Sequence, residues 1–168
     1  MQAVVIPVTP FAQNCSLVWC DRTGTGAVID PGGDLERILA AARDENVRLE
    51  KILLTHAHID HAGGTAGLAR NLKLPIEGPH RGDQFWIDGL PEQSRMFGFP
   101  PSETFTPDRW LDDGDRVGVE EHGLVRPTVL PKLIDPAVHK RAGRRGDDDQ
   151  RVGLGPAQSV GEQRTGKF

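Results

Sequence analysis

The sequence lacks a surplus of positive charge. Its 168 residues contain 20 Lys and Arg against 24 Asp and Glu, which gives a formal net charge of -4. Because binding to a phosphate backbone depends on cationic side chains, this balance argues against nucleic acid as a partner. With 37% hydrophobic residues, a chain of this length is expected to form one globular domain that buries a core.

The amino-terminal segment lacks the features of a signal peptide or a membrane span. MQAVVIPVTPF has no cationic residue ahead of its apolar stretch, and Pro7 and Pro10 interrupt that stretch. We therefore expect no membrane partner and a cytoplasmic location.

Cysteine is also scarce. The only two cysteines, Cys15 and Cys20, lie five residues apart in one predicted strand, so their side chains point to opposite faces. We expect two isolated buried thiols and no disulfide between them.

Apolar periodicity predicts alternating strands and helices over the first 125 residues. A helix capped by Asp34 should lie on the sheet, because its apolar residues repeat at helical spacing. The other predicted elements are strands at 3–8, 15–20, 26–30, 51–54 and 75–78, helices at 64–72 and 82–90, an aromatic loop RMFGFPP at 95–101, and a turn at DDGD within a hairpin at 107–124.

The composition changes at about residue 126. Residues 1–125 carry 11 Lys and Arg against 19 Asp and Glu, whereas residues 126–168 carry 9 against 5, so the charge balance moves from -8 to +4. Gly, Arg and Asp recur in this tail without a sustained apolar period, and we expect it to be disordered. An out-of-frame reading of a downstream gene segment would produce the same switch.

Three of the six histidines, His56, His58 and His61, lie within six residues and have Asp60 among them, directly after a predicted strand. Imidazole nitrogens and carboxylate oxygens are ligands for zinc. In an extended loop, residues two apart project to the same side, so His56 and His58 can bind one ion, with Asp60 next along that side. His61 can then reach a second ion.

Two divalent ions about 3.5–4 Å apart ionise a bridging water and polarise a carbonyl, which is the requirement for hydrolysis at neutral pH. We expect Asp60 to orient that water. Gly63 and Gly64 are expected to let the chain turn tightly into the next helix. The alternative is a set of solvent-exposed or packing histidines at a strand end.

These motifs resemble those of a known family. THAHIDH at 55–61 resembles the T-H-x-H-x-D-H motif of the metallo-β-lactamase fold hydrolases, and VIDPGG at 28–33 resembles the loop before their first helix. The wider text, including IPVTPFAQNCSLVWC, FWIDGLPEQSRMFG and TPDRWLDDGDRV, is similar to short bacterial proteins of the glyoxalase II type. The resemblance covers about residues 1–125.

This resemblance implies an α/β fold, the αββα sandwich, of which the N-terminal half is present here, with a binuclear metal site at one edge. It implies hydrolysis of a small-molecule thioester such as S-lactoylglutathione by a metal-bound hydroxide. His56 and His58 would bind the first metal, and Asp60 and His61 the second. Zinc is the expected ion, with iron or manganese as alternatives. Asp30 would support the site, although an Asp before Pro-Gly-Gly is more often turn chemistry.

The sequence departs from the family pattern after residue 125. It has no H-x-P-G-H-T-like segment, no strand-borne Gly-Asp and no Gly-His-Gly, which supply the remaining ligands in the family. His122, His139 and Asp147 lack the expected context, and we interpret them as coincidental. The four recognised ligands are about half of the usual set.

The missing half has physical consequences. Two histidines alone hold zinc weakly. A first sheet without its partner sheet leaves an apolar face uncovered, so the chain is expected to self-associate through that face. Two other functions therefore stay open, namely a mononuclear iron persulfide dioxygenase, which needs fewer ligands, and a non-catalytic truncated remnant.

Overall fold

A computed structural model describes residues 1–119. The predicted tail at 126–168, together with His122, His139 and Asp147, lies outside the described residues. Within residues 1–119, five strands form one mixed sheet in the order β1-β2-β3-β4-β5. The strands are β1 Gln2–Val8, β2 Gln13–Trp19, β3 Thr25–Ile29, β4 Arg48–Leu53 and β5 Ile76–Glu77.

The predicted meander is confirmed, since β1, β2 and β3 pair antiparallel. From β3 onward the pairing is parallel. Parallel neighbours need a crossover, and a helix, α1 (Leu35–Asp44), provides it between β3 and β4. As a result, the loops after β3 and β4 leave the sheet at the same edge.

Four further helices follow β4 within the described part of the chain. The predicted helix at 64–72 is confirmed as α3, and the predicted helix at 82–90 consists of a 3-10 turn, Arg81–Asp83, followed by α4. The predicted aromatic loop is wrong at its start, because residues 95–97 belong to α5, which ends at Gly98 in a left-handed conformation (φ 70°). The helices are α2 Ile59–Ala62, α3 Thr65–Leu72, α4 Gln84–Asp88 and α5 Leu90–Phe97.

The main core lies between one face of the sheet and the helices. Alternate residues of the strands, such as Leu17, Val28 and Ile52, meet Ile38 of α1 and Leu68 of α3, and all five are fully buried. Burial of each such side chain is worth about 1.5–3 kcal/mol. This core fixes the sheet edge at which the candidate site is built.

The opposite face of the sheet carries a smaller core. Ala27 and Leu53 pack there against Leu111, Val117 and Val119. The predicted hairpin at 107–124 is described only as far as residue 119. Within residues 107–119 no two segments pair as strands, because the apolar side chains of this stretch pack on the sheet. The turn at DDGD is present, with the Asp115 amide donating to the Asp112 carbonyl.

The helix α1 begins at the predicted place, but its cap differs from the prediction. Asp34 occupies the N-cap position in a left-handed conformation (φ 50°) and makes no side-chain cap hydrogen bond. Its carboxylate instead accepts a hydrogen bond of 2.7 Å from the Thr9 amide in the β1–β2 turn. The side chain thus ties that turn to the start of the helix.

No helix among residues 1–119 is both long and apolar enough to cross a membrane. Both cysteines are free thiols; Cys15 is buried as predicted, whereas the prediction that Cys20 is buried is wrong, because Cys20 follows the end of β2 and is partly exposed. Burial, and then the charge of Asp30, raise the pKa of the Cys15 thiol to about 12. Because the thiolate is the reactive form, Cys15 should be inert in the folded chain.

We predict that iodoacetamide at pH 8 modifies Cys20 in the native chain and reaches Cys15 only after denaturation. Peptide mass spectrometry of timed samples, with and without urea, measures the two rates. Cys20→Ser is the control, and it should leave the native chain almost unlabelled. Equal rates for the two native thiols would contradict the buried position of Cys15.

Candidate metal centre

The three clustered histidines lie at the edge where β3 and β4 end. The ring of His56 is 4.7 Å from that of His58 and 3.9 Å from that of His61, measured between centroids. Asp60 joins the cluster, with its Oδ2 atom 3.6 Å from His61 Nε2. The structure therefore brings all four predicted ligands together.

The chain reaches this arrangement by changing conformation within the motif. It is extended at His58 (φ -67°, ψ 152°) and helical from Ile59. Ile59 and Ala62, three residues apart, are both buried, so one turn of helix turns its apolar side inward. Asp60 and His61 are consequently presented by a helix, and the extended-chain reasoning that aligned Asp60 with His56 does not hold.

Asp30 is more than a turn residue. Its carboxylate is buried and accepts three hydrogen bonds, from the Thr55 amide (2.8 Å), the Thr55 hydroxyl (2.6 Å) and His61 Nδ1 (3.0 Å). Its backbone has a left-handed conformation (φ 54°), which Asp tolerates better than most residues. The turn after β3 therefore places a carboxylate beneath the histidines.

These hydrogen bonds determine where the imidazole protons lie. A carboxylate only accepts, so the Thr55 hydroxyl donates its single proton to Asp30. Thr55 Oγ1, 3.0 Å from His56 Nδ1, must then accept from that nitrogen. His61 Nδ1 likewise donates to Asp30. In the neutral form of each ring, the Nε2 atom then keeps its lone pair, which is the form that binds a metal.

The cluster also keeps His56 neutral. Burial, and then repulsion from His61 and His58, lower the pKa of His56 to about 4, against the opposing effect of Asp30 and Asp60. A neutral imidazole is required for coordination, so no proton has to be displaced at pH 7.

The donor set fits a divalent ion. One potential ligand atom from each of Asp30, His56 and His61 lies within 4.8 Å of the others. Two ligands on one tetrahedral zinc lie about 3.4 Å apart, close to the 3.6 Å between Asp60 Oδ2 and His61 Nε2. The Asp30 carboxylate already accepts hydrogen bonds from Thr55 and His61, so it is better placed to orient the metal ligands than to act as a ligand itself. The assignment of ligands to two ions stays a prediction.

Glycines allow the two loops of the site to touch through their backbones. A Cβ atom on Gly32 would lie 1.6 Å from the Asp60 carbonyl oxygen, and one on Gly64 would lie 2.6 Å from that of Pro31. Gly63 and Gly64 have φ values of -58° and -90°, which any residue adopts. The expected reason for these glycines is therefore wrong, since they permit close approach and not an unusual turn.

Sequence reasoning missed several residues that support the cluster. Asp83 and Gln93 accept hydrogen bonds from the amides of Ala57 and Ile59. Gln13 of β2 contacts His61, with its Nε2 atom 3.2 Å from Nδ1, but that nitrogen donates to Asp30 and so cannot accept from Gln13. The position of Gln13 could have been noticed from the sequence, because a polar residue at an inward-facing strand position is unusual. The other two lie on later helices, and no local pattern connects them to the motif.

A cavity of about 380 Å³ adjoins the glycine loops but is separate from the cluster. Its walls include Leu35 and Phe99, and none of the four predicted ligands lines it. It is therefore not the metal pocket.

Comparison with known proteins identifies the family and the fold. The family model described as "Metallo-beta-lactamase superfamily" matches residues 8–136. The hydroxyacylglutathione hydrolase GloC of Haemophilus influenzae is 42% identical over 112 residues, which are 67% of this chain and 52% of that protein. The hydroxyacylglutathione hydrolase of Aeromonas salmonicida is 31% identical over 71% of this chain and 39% of its own length. The chain thus spans about half or less of these curated relatives.

Solved structures agree. TTHA1623, described in a di-iron-bound form, has a TM-score of 0.61 and 32% identity, covering 68% of this chain and 56% of its own. The B3 metallo-beta-lactamase BLEG-1 has a TM-score of 0.59 and 28% identity, covering 70% and 56%. These likenesses confirm the predicted α/β fold for residues 1–119.

We predict that Gly32→Ala lowers the free energy of unfolding by about 1–3 kcal/mol or more, because the new methyl group collides with the Asp60 carbonyl. Urea denaturation followed by circular dichroism measures the change. Gly67→Ala is the control, since Gly67 lies within α3 and its Cβ would make an ordinary 3.4 Å contact with Leu35 of α1. That variant should be neutral or stabilising by up to about 1 kcal/mol. Equal effects would contradict the close approach.

We predict that Asp30→Asn weakens zinc binding by about 10- to 100-fold. In this variant, an amide nitrogen in place of Oδ2 would donate to the Thr55 hydroxyl. The hydroxyl would then donate its own proton to His56 Nδ1. The proton of the His56 ring would therefore move to Nε2, the nitrogen that is needed for the metal. Isothermal titration calorimetry at pH 7.5 measures the affinity. Asp34→Asn, the same change four residues along, should bind zinc normally, and normal binding by both variants would disprove the proton assignment.

Proposed function

Because the chain belongs to the metallo-beta-lactamase superfamily, we propose that it is a metal-dependent hydrolase of thioesters of the glyoxalase II type. Its curated relatives include hydroxyacylglutathione hydrolases, which points to S-lactoylglutathione and similar small-molecule thioesters as the substrate class. The observation that carries the proposal is the hydrogen-bonded chain His61–Asp30–Thr55–His56, which leaves two imidazole lone pairs free for a metal.

Each residue of the cluster has a role in this proposal. His56 and His58 hold one ion, and Asp60 and His61 hold the other. Divalent ions supply an ionised water and polarise the thioester carbonyl. Asp60 also serves as the catalytic residue that accepts a hydrogen bond from the attacking water. Asp30 acts through His61 and Thr55, so it positions ligands without touching substrate.

The donor atoms are compatible with more than one metal. Imidazole and carboxylate ligands suit zinc, iron and manganese. Zinc is our first expectation, and iron gains support from the relative described as di-iron-bound. The expected cytoplasmic location is also part of this proposal.

Self-association through the uncovered part of the sheet is likewise proposed, with a second copy of this chain as the occupant. β1 is an edge strand of the described sheet, and its Val5 side chain is 55% exposed. Edge strands offer unpaired backbone groups to a second chain.

Metal content and turnover test the proposed function together. We expect the purified full chain to bind about two zinc ions and to hydrolyse S-lactoylglutathione, and His56→Ala to bind zinc more weakly and to lose turnover. His80→Ala is the matched control, because His80 lies outside the cluster and is 39% exposed. Elemental analysis and release of free thiol are the two measurements.

The other outcomes identify the alternatives. One iron per chain with oxygen consumption would replace the hydrolase with a persulfide dioxygenase. Neither metal nor turnover would indicate a non-catalytic remnant.

A further inference from the structure

His58 is supported by different residues from those that hold His56 and His61. The amide before it, on Ala57, donates to Asp83 Oδ2 at 3.0 Å. The amide after it, on Ile59, donates to Gln93 Oε1 at 3.0 Å. Both accepting side chains are buried, at 1% and 7% exposure. The backbone of His58 is therefore held on both sides by side chains from the segment that carries α4 and α5.

Gln93 makes a second connection. Its Nε2 atom donates to the Trp86 carbonyl at 2.9 Å. The Trp86 ring in turn meets the His58 ring edge to face, with centroids 4.7 Å apart and planes at 85°. One glutamine thus joins the backbone beside His58 to the helix whose tryptophan packs on the His58 ring.

The two amides need these acceptors for a physical reason. Ile59 is the first residue of α2, and the first amides of a helix have no partner within it. Ala57 lies in the irregular loop between β4 and α2 and is fully buried. Buried amides without acceptors are costly, so the acceptors hold the extended conformation between them.

We propose that Gln93 is a positioning residue for His58, which it orients toward the metal by fixing the Ile59 amide and the Trp86 backbone. This inference rests on the proposed function, because it takes His58 to be a metal ligand. Gln93 acts on metal binding through His58 and not through His56, whose ring is held by Thr55.

The test replaces Gln93 with Met, which has a similar length and shape but cannot hydrogen-bond in the same way. Zinc affinity is measured by calorimetry on the full chain. We expect Gln93→Met to bind zinc about 10- to 100-fold more weakly. Gln84→Met is the matched control, since the Gln84 side chain donates to the exposed Asp88 on α4 and lies away from His58 in the chain, and this variant should bind zinc normally.

A double-mutant cycle separates positioning from a general loss of structure. Adding Gln93→Met to His58→Ala should weaken zinc binding no further, whereas adding it to His56→Ala should weaken it again. Equal losses in both backgrounds, or unchanged binding by Gln93→Met alone, would overturn the proposal. Unchanged binding by His58→Ala would instead overturn the ligand assignment in the proposed function.

Hydrogen exchange provides a readout that needs no metal. In the metal-free chain, Gln93→Met should speed exchange of the Ile59 amide. Gln93→Glu keeps the acceptor for the Ile59 amide but cannot donate to the Trp86 carbonyl, so it should restore slow exchange of the Ile59 amide. Fast exchange in Gln93→Glu would contradict the role of the Ile59 hydrogen bond, and this variant keeps the test decisive should Gln93→Met fail to fold.

Discussion

The buried carboxylate of Asp30 is the group on which the candidate site depends. It is placed at the end of β3, under the loop that follows β4, and its three hydrogen bonds go to Thr55 and His61. A buried carboxylate is costly unless hydrogen-bonded, so this arrangement satisfies the charge and at the same time joins the two loops. The ring protons of His56 and His61 follow from it.

Besides the hydrogen bonds of Asp30, the site depends on close contact between the backbones of its two loops. The glycine at position 32 lets the β3 loop touch the carbonyl of Asp60, and the helix that carries Asp60 and His61 is held in place by that contact. Burial in turn keeps His56 neutral, with a pKa of about 4. A neutral His56 whose ring is held in orientation by Thr55 can coordinate a metal without first losing a proton.

The support of the cluster is divided between two parts of the chain. Asp30 and Thr55 hold two histidines from within the sheet edge, whereas Asp83 and Gln93 hold the third from the helical segment that follows β5. This division explains why a motif of seven residues needs elements spread over more than sixty. It also gives the helical segment a role at the site beyond covering the sheet.

Much of the fold was predictable from sequence. Strand alternation and helical spacing are local patterns, and they placed the meander, α1 and α3 correctly. They failed at residues 107–119, where apolar side chains pack on Ala27 and Leu53 and do not pair with one another, because an irregular segment on a sheet leaves no periodic signal.

Sequence alone predicted that the histidines and Asp60 lie in one cluster, since side chains from one short loop are close in sequence as well as in space. It could not identify Asp83 and Gln93 as their supports, and it undervalued Asp30. Those residues reach the cluster through hydrogen bonds that span 25 to 34 positions. A hydrogen bond between such distant residues depends on how the strands are ordered and where the helices cross, so it exists only once the chain has folded.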